Sequence, residues 1–439
     1  MSASFDVLVV GAGPAGIAAA VRAAESGISV ALVDDNTAPG GQIWRREASL
    51  RPATAREWLA RLDAVPVRRF QGWRIFDSGG PGMLWAEQQS GHPAGASADK
   101  CVQLHYKSLI LATGARERFL PFPGWTLPNV MGAGGLDAMV RSGLPITGKR
   151  VVVAGTGPLL LAVAAHLSEQ GARIVAICEQ AQLRRLASFA AQLVGQPEKM
   201  GQGFGMLLAS RRARIHASCW VLRAHGENKV ESVTLRHPGR ISEVATDYLA
   251  CGYHLVPNLE LPLLLGCRTD AGFVAVDAQQ RTSIENVFCA GEPTGIGGVE
   301  RALLEGQIAG LAAAGRRREA EILSLARKGS DRFVRALAAT FALNPELRRL
   351  PSGRTLVCRC EDVPFDVLSQ HNSWRDAKLQ TRCGMGPCQG RICGAATQFL
   401  FGWQDDAVRP PIFPATVSSL GAGHRDAGSS GSENRRFAK

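Results

Sequence analysis

Residues 5–16 read Phe5-Asp6-Val7-Leu8-Val9-Val10-Gly11-Ala12-Gly13-Pro14-Ala15-Gly16. An apolar run of strand length ends on glycines in G-x-G-x-x-G spacing, and each glycine has its own task. Gly11 permits a tight turn, Gly13 lets a pyrophosphate approach the backbone, and Gly16 lets the next helix pack closely on the strand. Pro14 and Ala15 complete the turn ahead of a helix predicted over 17–26, whose free N–H groups and dipole favour phosphate. A second strand is predicted over 29–34. It ends on Asp34, 23 positions after Gly11, where a carboxylate can accept hydrogen bonds from ribose hydroxyls. Strand, turn, helix, strand and acid together predict a βαβ nucleotide-binding unit, so the fold class is α/β.

The same sentence is written twice. Residues 66–113 carry β-type stretches broken by Gly/Pro/Ser turns at 78–82 and 90–97, which predicts a meander. A second strand, turn and helix follows at 150–170 with a strand over 173–179, and its first glycine lies 144 residues after Gly11. This copy reads Gly155-Thr156-Gly157-Pro158-Leu159-Leu160, with leucine in the third glycine place and Glu179 as its acid. Leu160 keeps the helix from packing as closely on the turn. Three readings of this module stay open: a nicotinamide nucleotide, a non-redox adenine nucleotide such as ATP, or a purely structural repeat.

Three further stretches point to FAD at the first module. Gly40-Gly41-Gln42 follows the second strand and can line a flavin. Ala112-Thr113-Gly114 ends an apolar strand, and residues 287–298 read Val-Phe-Cys-Ala-Gly-Glu-Pro-Thr-Gly-Ile-Gly-Gly ahead of a helix predicted over 299–314. With these the chain resembles the two-dinucleotide-domain flavoprotein reductases. The resemblance implies that Gly291 and the following acid hold the ribityl chain of FAD. Glu292 stands where that family has Asp, so the charge is kept and the contact is shifted by one methylene.

The cysteines divide into two groups. Six are spread from Cys101 to Cys289 and read as small apolar core residues, whereas Cys358, Cys360, Cys383, Cys388 and Cys393 crowd into 36 residues. Clustered thiols in a cytosolic chain point to metal or redox chemistry. A [2Fe-2S] core needs four thiolates converging on it, with backbone N–H donors to its sulfurs, and Gly384, Gly386 and Gly390 free the backbone to curl around one. Neither the C-x-C pair nor the 22-residue gap to Cys383 matches zinc knuckles. The pattern resembles the bacterioferritin-associated-ferredoxin-like cluster domain fused to several flavoproteins, which implies Cys358, Cys360, Cys388 and Cys393 as ligands. Cys383 stands where those relatives carry a small residue, as a spare thiol or a substitute ligand.

Composition removes several classes of function. The 439 residues, 46% hydrophobic and 20% charged, make a folded protein of two or three domains, and 49 glycines suit a chain that approaches ligands with its backbone. The longest apolar run, 151–165, is too short and too broken by Gly155, Gly157 and Pro158 to span a bilayer. No basic leader precedes the first strand, so a cytoplasmic location is expected, with attachment at the inner face of a membrane through a complex as the alternative. The formal charge of +12 is scattered, Arg316, Arg317 and Arg318 read as a solvated helix end, and no nucleic-acid signature accompanies it.

From the first glycine motif through residues 40–45, 111–118, the cysteine segment and Arg409-Pro410-Pro411, the chain resembles the alpha subunits of heteromeric dye-linked amino-acid dehydrogenases. That group includes octopine and nopaline oxidases, D-hydroxyproline dehydrogenase, the flavin subunits of hydrogen cyanide synthase and relatives of dye-linked L-proline dehydrogenase. It implies a discontinuous FAD domain (1–120 and 281–320), an inserted second dinucleotide domain (121–280), a helical linker and small [2Fe-2S] domain (321–403), and a proline-rich arm with a disordered tail (404–439). It also implies an FAD-dependent beta subunit that carries the substrate site, and a small ferredoxin-like subunit is a further candidate partner. The helical pattern over 314–350 uses Ile322, Leu325, Phe333, Leu337 and Phe341 and stops at Pro345. No catalytic acid or base stands out, His254 reads as an ordinary loop histidine, and the missing C-x-x-C pair argues against a dithiol relay.

Overall fold

The computed structural model describes residues 2–44, 51–89, 101–192, 213–404 and 408–427. The expected turn at 90–97, Arg45 and the last residues of the tail lie outside them. The chain divides into two compact units, Met1–Ala115 with Pro257–Asp331 and Ala407–Lys439, and Arg116–Val256 with Arg332–Asp406.

The first unit is built on the Ser2–Val10 strand. It runs parallel to Val30–Asp34 on one side and to Cys101–Leu111 on the other, and Val67–Gln71 extends the sheet beyond Val30–Asp34. Cys101–Leu111 is long enough to pair twice along its other edge. Leu109–Leu111 take Val287–Cys289 in parallel, and residues 101–105 take the antiparallel strand Met83–Gln88, which pairs in turn with Trp73–Gly80. That is the predicted meander, joined to a parallel sheet through one shared strand. Val7 and Val9 face one core with Ile17 and Ala20 of the Pro14–Ala24 helix, whereas Leu8 and Val10 face another with Leu109 and Leu111. Both faces are covered, so the strand reads as a continuous apolar run without alternation.

The second unit repeats the plan. Arg214–Ala217, Arg173–Glu179, Arg150–Thr156, Tyr248–Tyr253 and Val130–Gly132 lie side by side in one parallel sheet, and Trp220–His225, Ser232–His237 and Arg240–Ala245 form the meander. The helical stretch after the Gly298–Ala313 helix resolves into Arg317–Thr340 and a 3₁₀ turn, Pro345–Arg349. The cysteine segment adds a short strand pair, Leu356–Cys358 with Val363–Pro364, and two helices, Trp374–Thr381 and Cys393–Phe401. Five of the six scattered cysteines are buried, as read, and Cys101 is half-buried.

The expectation of a proline-rich arm with a disordered tail over 404–439 is corrected in part, because Val417–Ala427 is a helix. The proline arm also finds its seat inside its own unit. Ile412 donates its N–H to the Phe76 carbonyl and is buried, and the Arg74 guanidinium lies over the Phe413 ring. Buried Glu87, on a meander strand, accepts hydrogen bonds from the Thr416 N–H, the Thr416 hydroxyl and the Ser419 hydroxyl. A carboxylate at the start of a helix satisfies donors that would otherwise be free and faces the positive end of the dipole.

Candidate functional site: a nucleotide cradle and a cysteine cluster

The first glycine turn is built as its spacing requires. Gly11 has φ +105°, and a Cβ there would lie 2.2 Å from the Ala112 carbonyl oxygen. A Cβ on Gly16 would lie 1.7 Å from the Gly11 carbonyl oxygen, so both residues are glycine because protein backbone occupies the space. Gly13 differs: a Cβ there meets no protein atom within 4 Å. Its side of the turn is open, as a position kept clear for a ligand must be. The Gly40-Gly41 loop closes from the other side, with a Gly41 Cβ position 2.8 Å from the Gly13 Cα, and Gln42 is exposed beside it.

Residues distant in sequence complete the cradle. Thr113 and Gly114 are pinned by Asn258, whose Nδ2 donates to the Thr113 carbonyl and whose N–H donates to the Gly114 carbonyl. Gly291, at φ +82°, places its Cβ position 2.9 Å from the Ala15 Cβ. The helix that follows, Gly298–Ala313, lies on Pro14–Ala24 through Gly306 and Gly310, whose Cβ positions would lie 2.1 and 2.3 Å from the Ala15 and Ala19 carbonyl oxygens. Fully buried Glu305 ties this corner together by accepting from the Gly291 N–H, the Thr294 hydroxyl and Arg301 Nε. Sequence reading missed Asn258 and Glu305. Their partners are far away in the chain or lie beside a motif that already looked complete.

Two acids of the cradle have distinct situations. Asp34 braces the turn: its carboxylate accepts from the Ala12 N–H at 2.5 Å and from the Asn36 N–H and Nδ2, and burial raises its pKa against those donors. Glu292 keeps one buried oxygen, Oε2, with no hydrogen-bond partner. Burial pushes its pKa up to about 7, opposed by the Gly298 and Gly297 N–H groups. An orphaned buried acceptor beside an open glycine turn fits a ligand that brings hydroxyl and phosphate groups, as FAD does.

The second turn shares the bracing. Glu179 accepts from the Thr156 hydroxyl and from the Gly157 and Ala181 N–H groups, and burial raises its pKa to about 7. Gly155 abuts the Gly252 carbonyl, and the Gly157 side is open. Buried Leu160 occupies the place where Gly16 lets its own turn close in. A third acid, Glu117, lies at the start of the Ala133–Arg141 helix, accepting from the Gly134 and Gly135 N–H groups, and a Cβ on Gly252 would lie 3.2 Å from its Oε1. His254 adopts φ +73°, accepts from the Arg118 N–H through its carbonyl, and has its pKa lowered by burial and by Arg118.

In the cysteine segment, the thiols of Cys358, Cys383 and Cys393 lie within 4.8 Å of one another and are buried. Cys388 touches Cys393 on one side and exposed Cys360 on the other. Five thiols therefore converge, as a mutually contacting set of Cys358, Cys383 and Cys393 that Cys388 joins to Cys360. The neighbouring Cys383 and Cys393 thiols, with the Gly384 and Glu361 N–H groups, hold Cys358 well below the usual thiol range. Cys388 falls to about 5 through Cys393 and the Ile392 and Gly390 N–H groups. Thiolates cradled by backbone N–H donors are what a metal-sulfur group requires. Arg116 Nε donates to the Arg391 carbonyl and steadies the 388–393 loop. Cys383, read as a spare thiol or a substitute ligand, sits inside the group.

Two nucleotide-type sheets, each with its glycine turn, braced acid and meander, define a two-dinucleotide-domain flavoprotein. The chain belongs to the pyridine nucleotide-disulphide oxidoreductase family, whose pattern matches residues 5–306, and it is an FAD-dependent oxidoreductase. Hydrogen cyanide synthase subunit HcnB of Pseudomonas protegens is 30% identical over 431 residues, covering 89% of this chain and 90% of that protein. The opine oxidase A-subunit of Rhizobium meliloti is 31% identical over 473 residues, covering 95% and 98%. Each of these relatives is one subunit of an enzyme. Among solved structures, L-proline dehydrogenase from P. horikoshii superimposes with a TM-score of 0.64 at 19% identity over 95% of this chain and 80% of that one. Thioredoxin reductase of T. acidophilum gives 0.55 at 22% identity over 71% and 98%. Among the described residues no helix is long and apolar enough to cross a membrane.

Proposed function

We propose that this chain is the electron-relay subunit of a heteromeric dehydrogenase that oxidises a C–N bond of an amino acid or secondary amine of the proline, hydroxyproline or opine type. A FAD-dependent partner subunit carries the substrate, and this chain takes the electrons onward. The observation that carries the reading is the joining, in one chain, of a complete FAD cradle to five convergent thiols, a combination that suits relay better than substrate chemistry. FAD supplies acceptance of two electrons and their release singly, and a [2Fe-2S] group supplies one-electron steps.

The residues divide the work accordingly. Gly11, Gly13 and Gly16 with the helix start at Pro14 receive the pyrophosphate, Asp34 fixes the turn and offers its remaining lone pair to a ribose, and Glu292 accepts from the ribityl hydroxyls. Cys358, Cys360, Cys388 and Cys393 would supply the four-thiolate set, and Cys383 is a fifth thiol beside it. The second module, through Gly155, Gly157 and Glu179, is open to an adenine nucleotide.

The test is assembly. The purified chain alone should not oxidise proline, hydroxyproline or an opine with an acceptor dye, and should become active when its partner subunits are co-expressed. Amine oxidation by the single chain at the rate of the complex would move catalysis into this polypeptide. The open Gly157 turn favours a second reading, a self-contained NAD(P)H reductase. Rapid flavin bleaching on mixing with NADH or NADPH in a stopped-flow cell would establish it.

A further inference from the structure

Trp374 opens the helix Trp374–Thr381 in the gap between the two cysteine motifs, and its indole is 4% exposed. Its Nε1–H is buried and has no hydrogen-bond partner, thiols included. The six-membered ring fills a slot made of glycines: a Cβ on Gly384 would lie 2.6 Å from Cζ2, one on Gly390 3.1 Å from it, and one on Gly394 3.8 Å. The edge turned to these glycines is Cζ2–Cη2, and the N–H adjoins it, two bonds from Cζ2. Gly384 directly follows Cys383, Gly394 directly follows Cys393, and the Gly384 N–H points at the Cys358 sulfur. Cys358, Cys383, Cys393 and Trp374 share one small core.

A buried indole N–H without an acceptor is costly, and native interiors rarely keep one. Trp374 is also an odd choice if only bulk were needed, since phenylalanine would fill the slot without a donor to satisfy. We infer that Trp374 Nε1–H is a hydrogen-bond donor to a sulfur of the iron-sulfur group held by the neighbouring cysteines, and so a positioning residue that sets its reduction potential. The inference rests on the [2Fe-2S] reading given above. An N–H donor to sulfur favours the reduced, more negative form, so the tryptophan raises the potential.

The experiment uses the full-length chain. Iron and acid-labile sulfide are measured first, and a wild-type protein with neither ends the iron-sulfur reading and this inference together. With the group present, Trp374→Phe and incorporation of benzothienylalanine at position 374, which replaces the N–H by sulfur at nearly constant shape, are titrated potentiometrically with the reduced signal followed by electron paramagnetic resonance. Both variants should retain iron and sulfide and require a lower potential for half-reduction, with a fall of several-fold in the reduced-to-oxidised ratio at the wild-type midpoint. If Trp374→Phe alone loses the group, the slot needs the larger ring and the benzothienylalanine protein carries the measurement. An unchanged midpoint in an iron-loaded benzothienylalanine protein overturns the inference and leaves the iron-sulfur reading intact.

Discussion

Gly13 and Gly16 are three positions apart and fail for opposite reasons. At Gly16 a side chain collides with the Gly11 carbonyl, so Gly16→Val should yield little folded protein. At Gly13 the added carbons enter open space, so Gly13→Val should fold with an unchanged circular-dichroism spectrum and lose stoichiometric flavin, seen as absent absorbance near the flavin maximum. Among the cysteines the proposed ligand set gives the order of importance. Cys358→Ser and Cys393→Ser should abolish bound iron, whereas Cys383→Ser should retain it, because the resemblance leaves Cys383 outside the four-thiolate set. Iron retention in Cys393→Ser with loss in Cys383→Ser would exchange their roles. Glu292 gives a pH signature to the flavin-free protein. With its pKa raised from 4.5 to about 7 by burial, the folded state holds the proton more tightly than the unfolded one. Stability is then full below about pH 4.5 and falls as pH rises through 7, by something on the order of 2–3 kcal/mol. Denaturant midpoints across that range should vary less in Glu292→Gln, with Glu179 keeping a slope of the same sign.

Elements show where local reading succeeds and where it stops. The βαβ unit, the meander and the Gly298–Ala313 helix follow from patterns that each element carries by itself. The arm after the cysteine segment does not, because a polar, proline-rich stretch reads the same whether it meets another chain or its own. Its seat is set by Phe76 and Glu87, more than 300 residues upstream, and nothing local to the arm announces them. A chain ending at residue 404 should therefore lose stability rather than only a binding surface. Ile412 is withdrawn from burial and Glu87 loses its donors, a combined cost of about 2–4 kcal/mol. Thermal melting of the truncated and full-length proteins checks this, and equal melting temperatures would return the arm to a purely intermolecular role.

On the scale of the molecule, the site residues that could be read from sequence are those that belong to a local motif, whether by backbone geometry or by spacing. Gly11, Gly16 and Gly291 announce themselves because only glycine fits there. Those that escaped, Asn258, Glu305 and Trp374, act through side chains on partners whose nearness is created by the fold. The contact of Gly291 and Gly306 with Ala15, and of Gly310 with Ala19, has a consequence in time. These contacts on the glycine turn are encoded only after residues 116–256 of the second unit, and the sheet lacks its Val287–Cys289 strand until then. At roughly 5–20 residues per second, about 310 residues take some 15–60 seconds to leave the ribosome. The nascent chain thus carries an unfinished cradle for most of its synthesis. Flavin capture is a late event in the life of each molecule, and a chain interrupted before residue 310 would be released with its glycine motif complete and its cradle still unclosed.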